Sequence, residues 1–106
     1  MLTFNEWQKL DIRIGRIKEI KDHPEADKLY ILKIDIGKEI QLVAGLKQHY
    51  KKEELLNKKI VVLTNLEPKK LRGVESQGML LAADNGKGII SILIPDKDIE
   101  IGSVIR

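Results

Sequence analysis

Apolar residues recur along this chain at two spacings, and the change from one to the other marks out its elements. Phe4, Trp7 and Leu10 stand three apart, with Thr3 placed to cap and Glu6 three residues beyond it, so the chain is predicted to open on a short helix. From Asp11 the spacing falls to two: Ile12 and Ile14 alternate with polar residues, and after Gly15 the phase moves to Ile17 and Ile20. A glycine at a phase change predicts a β-bulge in a curved strand over 11–20. The stretch HPEADK, 23–28, has the proline and acids of a turn or a short capped helical turn. Tyr30, Leu32, Ile34 and Ile36 then share one face of a half-buried strand over 29–36, and Gly37-Lys38 leads through a hairpin into a third strand at 39–44.

Residues 45–57 scatter Leu46, Tyr50, Leu55 and Leu56 among charges, a pattern for one or two helical turns, and KIVVLT at 59–64 is a buried strand. Pro68, Gly73 and several charges make 65–77 an exposed loop, expected to be the working part of the chain. A fifth strand is expected at 78–83, then a turn at Asn85-Gly86 and a return at 89–94 that Pro95 ends. An all-β chain of five strands with a helical connection after the third matches an OB barrel in strand number and helix position; strand count alone also permits other small barrels.

Length and composition narrow the class. A chain of 106 residues, 42% hydrophobic and 33% charged, has room for one core and is too apolar for a disordered tail. Its apolar runs fall far short of the roughly 20 residues that cross a bilayer, and MLTFNEWQKLD lacks the pattern of a secretory leader, so a soluble cytoplasmic protein is expected. With no cysteine, disulfides, thiolate catalysis and sulfur-built zinc sites are excluded. The net charge of +3 hides an uneven distribution: 1–46 is balanced, 73–106 is slightly acidic, and 47–72 sets eight Lys/Arg against Glu53, Glu54 and Glu67. That basic middle suits an anionic partner, although an ordinary solvated surface would look the same in a charge count.

Nothing in the sequence assembles a catalytic cluster. His23 and Asp27 read as turn stabilisers because no third ligand is near, and Ser76, Ser91 and Ser103 lack a nucleophile-elbow context. The glycines are dispersed and form no phosphate loop. No enzyme activity, metal or cofactor is therefore expected. The only aromatic residues are Phe4, Trp7, Tyr30 and Tyr50, too few for a platform that stacks an extended single strand of nucleic acid.

Four segments carry a further signal: DIRIGRI at 11–17, HPEADKLYILKIDIG at 23–37, VAGL at 43–46 and NLEPKKLRGVESQGMLLAA at 65–83. In order and spacing they closely resemble the tRNA-binding domain found as free-standing proteins, as the C-terminal extension of methionyl-tRNA synthetases and in cytokine-precursor proteins of multisynthetase complexes. The second segment alone also resembles part of the β subunit of phenylalanyl-tRNA synthetase. The resemblance implies an OB-fold that binds the outer surface of tRNA as a structure-specific, largely sequence-tolerant, non-catalytic module assisting a synthetase, most plainly a methionyl one. It also implies a single domain, 1–106, whose barrel at 11–83 is flanked by extensions, 1–10 and 84–106, that form a homodimer. A secretion-related, chaperone-like peptide binder of the same fold is the alternative.

Asn65, Lys70, Arg72, Ser76, Gln77 and Met79 stand where the family's RNA-contacting motif places them. On that reading Lys70 and Arg72 pair with phosphates, while Asn65, Ser76 and Gln77 offer hydrogen bonds to sugars and base edges. Met79 gives an apolar contact to a splayed base or ribose. Turn capping by Asn65 and Ser76, and barrel filling by Met79, are the alternatives. Lys33 lies on the polar face of the second strand, on the usual ligand side of an OB barrel, although ordinary exposed surface is the stronger reading for a lone lysine there. Gly73 and Gly78 are expected to serve the backbone.

Overall fold

In chain order the computed structural model, which describes residues 1–106, runs α1 (Phe4–Gln8), β1 (Ile12–Asp22), β2 (Tyr30–Asp35), β3 (Glu39–Ala44), α2 (Lys52–Leu55), β4 (Lys59–Leu63), β5 (Lys69–Leu71), β6 (Val74–Ser76), β7 (Met79–Leu80), β8 (Ala82–Asp84) and β9 (Ile90–Ile92). The long strand β1 ties the sheet together: its first half pairs antiparallel with β4 and its second half with β2. Its two faces are covered by different cores. Ile12 and Ile14 pack with Val61 and Leu63 in one cluster, whereas Ile17 joins Leu32, Ile34, Leu42, Ile60 and Val62 in the larger one. The same division explains the unbroken apolar run of β4, whose successive residues feed alternate cores.

This arrangement corrects the expectation of a bulge at Gly15. The shift from Ile14 to Ile17 needs no bulge, because both faces are buried. The register slips instead between Ile17 and Glu19, where Lys18 is the extra residue, and this returns Ile20 to the main core. Gly15 has a different task. A Cβ there would lie 2.6 Å from Ile34 Cγ2 and 2.9 Å from Ile36 Cγ2, so glycine lets β1 press close against β2.

The main sheet runs β3-β2-β1-β4-β7. Side chains help to close it: Ser76 Oγ accepts from the Val43 N–H at 3.0 Å, and Gln77 Oε1 accepts from the Gln41 N–H at 2.7 Å while its own N–H donates to Gln41 O. The result is a nearly closed five-stranded antiparallel barrel with its helix between the third and fourth strands, the OB arrangement. Four residues are too few for α2 to be stable alone. It is fixed by Leu55, its one buried residue, which packs into the main core.

Two segments differ from expectation. The fifth strand is split at Leu81, whose N–H donates to Val61 O and whose carbonyl accepts from the Leu93 N–H, so the chain passes from the barrel into the β8–β9 hairpin. The segment expected as a loop at 65–77 contains a second hairpin, β5–β6. Its Arg72-Gly73 turn has φ of 53° and 85°, the two left-handed residues of a type I′ connection.

Beyond the barrel, β9 sends Ile92 into the main core, and Gly102 and Ile105 donate to Ile14 O and Ile12 O, laying the C-terminus along β1. Thr3 and Glu6 cap α1 reciprocally, as the sequence predicts, yet that helix buries no residue.

Candidate nucleic-acid interface

The β5–β6 hairpin packs against β3 and is fastened on both arms. His23, 4% exposed, accepts from the Glu25 N–H through Nδ1 at 3.0 Å, which leaves Nε2–H to donate to Leu71 O at 2.9 Å. One ring thus stabilises its own turn and holds an arm 48 residues away. On the other arm Gln41 Nε2 donates to Glu75 O at 2.8 Å. Between these fasteners the two-residue turn projects Arg72 into solvent, with Lys69 and Lys70 exposed behind it.

Ion pairing decides which cations remain free. Asp22 draws Lys52 and Lys47 to 3.2 and 3.3 Å, and their hydrogen bonds hold its carboxyl below the usual carboxylate range. Lys59 reaches Asp98 at 2.7 Å and lowers that carboxyl likewise. Asp11 is lowered by hydrogen bonds from Thr64 and then Arg13. Of the eight cations in 47–72, Lys51, Lys58, Lys69, Lys70 and Arg72 form no ion pair, and three of these five lie on the hairpin.

The polar residues singled out in the sequence are placed unevenly. Asn65 bridges the start of the barrel: Oδ1 accepts from the Asp11 N–H at 2.9 Å, and Nδ2 donates to Lys9 O at 2.6 Å. The Ser76 hydroxyl donates to Gly78 O at 3.0 Å besides accepting from Val43, and the Gln77 carbonyl is engaged by Gln41. Lys70, Arg72 and Met79 are exposed, and Lys33 is half-buried between its cross-strand partners Gln41 and Glu19. The hairpin and the cleft beside it bring Lys70, Arg72, Ser76 and Met79 into one region, with Gln77 next to them on the edge of β3, while Lys33 stands on β2 beside Gln41 and Asn65 bonds the N-terminal segment.

Residues not singled out in the sequence also join the surface. Lys69 adds charge, and Lys21 is exposed on β1 with its pairing partner in Ile31. Strand alternation combined with the observed register would have located Lys21. A cleft of about 410 Å³ opens beside the hairpin between Val43, Leu66, Leu71 and Met79, with Glu67 and Lys69 at its rim.

A family model described as "Putative tRNA binding domain" matches residues 12–104, nearly the whole chain. This chain belongs to the tRNA-binding domain family. Relatives of this tRNA-binding domain include the methionine-tRNA ligase of Pyrococcus horikoshii, 62% identical over 106 residues that cover 99% of this chain and 14% of that enzyme. The methionine-tRNA ligase of Nanoarchaeum equitans is 53% identical over 107 residues, again with 14% of its length covered. The domain thus spans about one seventh of the ligases it matches.

Among solved structures, a MetRS-related protein from Pyrococcus horikoshii superposes with a TM-score of 0.94 at 31% identity, covering 100% of this chain and 98% of that one. The CsaA chaperone from Picrophilus torridus superposes with a TM-score of 0.89 at 41% identity over the full length of both. No helix of the domain is long and apolar enough to cross a membrane.

Proposed function

We propose that this domain is a non-catalytic module that binds the outside of folded tRNA and assists a methionyl-tRNA synthetase in the cytoplasm. The observation that carries this reading is the cationic hairpin: Lys69, Lys70 and Arg72 have no acidic partner and sit on a scaffold fastened by His23 and Gln41. Unpaired cations on a fixed scaffold neutralise phosphates with little ordering cost, and Lys33 on the adjoining face extends the surface. The 62% identity with a methionine-tRNA ligase supports the choice of synthetase. A gel-shift titration with several tRNAs and with an RNA hairpin of equal length tests it. The tRNAs should bind with similar affinities, more tightly than the hairpin and less tightly as salt rises; absence of tRNA binding at low salt refutes it.

The working form is a homodimer built from 1–10 and 84–106. In support, α1 leaves Phe4 68% and Trp7 37% exposed, and Ile89, Leu93, Ile94 and Val104 are exposed near the other terminus. Such apolar surface marks an interface. A monomeric mass in sedimentation at micromolar concentration would refute the dimer.

The chaperone neighbour, with 41% identity over its full length, favours a second reading in which the apolar cleft takes a peptide. Competition between tRNA and an unfolded polypeptide for the domain separates the two.

A further inference from the structure

We infer that the loop between β3 and α2 is a second phosphate-binding surface, so that one RNA is gripped at two separate places; this rests on the tRNA-binding reading above and adds a contact away from the hairpin. The barrel brings the loop into position. Asp22, Tyr30 and Ala44 are successive cross-strand neighbours, so the 23–29 turn and the loop after β3 leave the sheet at the same end. The Lys47 N–H donates to Lys28 O at 3.4 Å, while His23 holds Leu71 O. Both cationic surfaces therefore adjoin the 23–29 turn, the loop at Lys28 and the hairpin at His23.

A hollow of about 330 Å³ opens in this loop between Tyr30, Lys47, His49, Tyr50 and Lys51. Most of its neutral groups serve the fold: the Tyr30 hydroxyl donates to Tyr50 O, and the His49 and Tyr50 amides both donate to Leu46 O. The side chains of Lys47, His49 and Lys51 are left for a ligand, and such a set of donors calls for an anion. Its acids are engaged. Glu54 accepts from the Lys51 N–H at 2.7 Å, and Asp22 is shared by Lys47 and Lys52, a trio that keeps one positive charge. Lys51 has no acidic partner.

The turn between the two surfaces carries Glu25 and Asp27, both exposed, which repel a phosphate backbone laid across them. The RNA accordingly touches down on either side of the turn. Once the hairpin holds it, its phosphates face the loop at high effective concentration, so exposed lysines suffice for the second contact. A folded tRNA that reaches both surfaces is held more tightly than a short stem-loop that reaches one at a time.

The test pairs Lys47→Ala with Lys51→Ala and measures binding of a tRNA and of a short stem-loop over a range of salt, with phosphate-ethylation interference to map the contacts. Alanine at 51 keeps the N–H that Glu54 accepts, and Lys52 still pairs with Asp22, so circular dichroism should match wild type. Wild type should show two separated sets of essential phosphates in the tRNA. The alanine pair should lose one set, lower the slope of log K against log salt by about 1.6 and bind about 40-fold more weakly at 0.1 M salt, with a far smaller loss for the stem-loop. Lys47→Arg with Lys51→Arg should keep both sets, and Lys70→Ala with Arg72→Asn should lose the other one.

A single set of essential phosphates, or parallel salt plots for the alanine pair and wild type, overturns the second surface and leaves the tRNA reading standing. Failure of tRNA to bind at low salt overturns both. Should inorganic phosphate shift the amide resonances of His49 and Lys51 while the alanine pair leaves every tRNA contact in place, the hollow belongs to a small anion and the inference is wrong.

Discussion

Replacing Lys70 by Ala and Arg72 by Asn removes two unpaired charges while leaving the hairpin its supports. Asn is chosen because residue 72 has φ of 53°, a left-handed conformation that asparagine tolerates and most side chains resist. The fasteners from His23 and Gln41 end on backbone carbonyls, so neither depends on the replaced side chains. Each phosphate contact contributes about 0.7–0.9 to the slope of log K against log salt, so losing two should lower its magnitude by about 1.6. Counterion release then implies a loss of about 40-fold in affinity at 0.1 M salt, narrowing to about ninefold at 0.25 M. Fluorescence anisotropy with a labelled tRNA over that salt range measures both quantities, and circular dichroism checks the fold. Parallel wild-type and variant plots, whatever their vertical offset, would refute phosphate neutralisation by these side chains.

Three further outcomes follow from the packing and the charges. His23→Ala leaves Leu71 O and the Glu25 N–H without their partner, at a cost of about 1–3 kcal/mol, so amide exchange across β5–β6 should quicken and tRNA affinity should fall; unchanged exchange in the hairpin would show that the ring does not hold it. Gly78→Ala places a Cβ 2.7 Å from Leu63 O and 3.2 Å from Leu42 Cδ2, and since backbone cannot move aside cheaply, thermal melting should register a loss of about 1–3 kcal/mol. Asp11 has its folded pKa depressed below 3.8, so its contribution is complete above that value and disappears as pH falls through the lower folded value. Acid titration of stability should therefore steepen below about pH 4 in wild type and less so in Asp11→Asn.

The strands β1 to β3 are legible because alternation of isoleucine, leucine and valine reports burial directly, and β4 because an unbroken apolar run of strand length reports burial on both faces. The β5–β6 hairpin is not, for local reasons: its arms are three residues long, Lys69 and Lys70 are both exposed, and the turn is Arg-Gly rather than the familiar Asn-Gly. Gly15 misleads because a close approach and a bulge use the same residue, and only the pairing register distinguishes them. The basic middle is visible as composition, but Asp22 and Asp98 approach Lys47, Lys52 and Lys59 only through the fold. His23 reads correctly as a turn residue, while its reach to Leu71 depends on a contact across 48 positions.

Side chains that close the barrel cannot also read bases, and this explains why such a domain would tolerate different tRNAs. Ser76 is the sharpest case: it is 6% exposed, and its hydroxyl joins Val43 to Gly78 across the seam between β3 and β6. Both ends of the Asn65 amide are likewise engaged, and Gln77 retains only its amide nitrogen for a ligand. Ser76→Ala should therefore act on the fold, leaving a buried N–H unpaired at about 1–3 kcal/mol, visible as a lower denaturant midpoint. Its salt slope for tRNA should match wild type, because no phosphate contact is lost. If instead Ser76→Ala kept full stability and changed the preference among tRNAs, the hydroxyl would be reading RNA, and recognition could no longer rest on charge and shape alone.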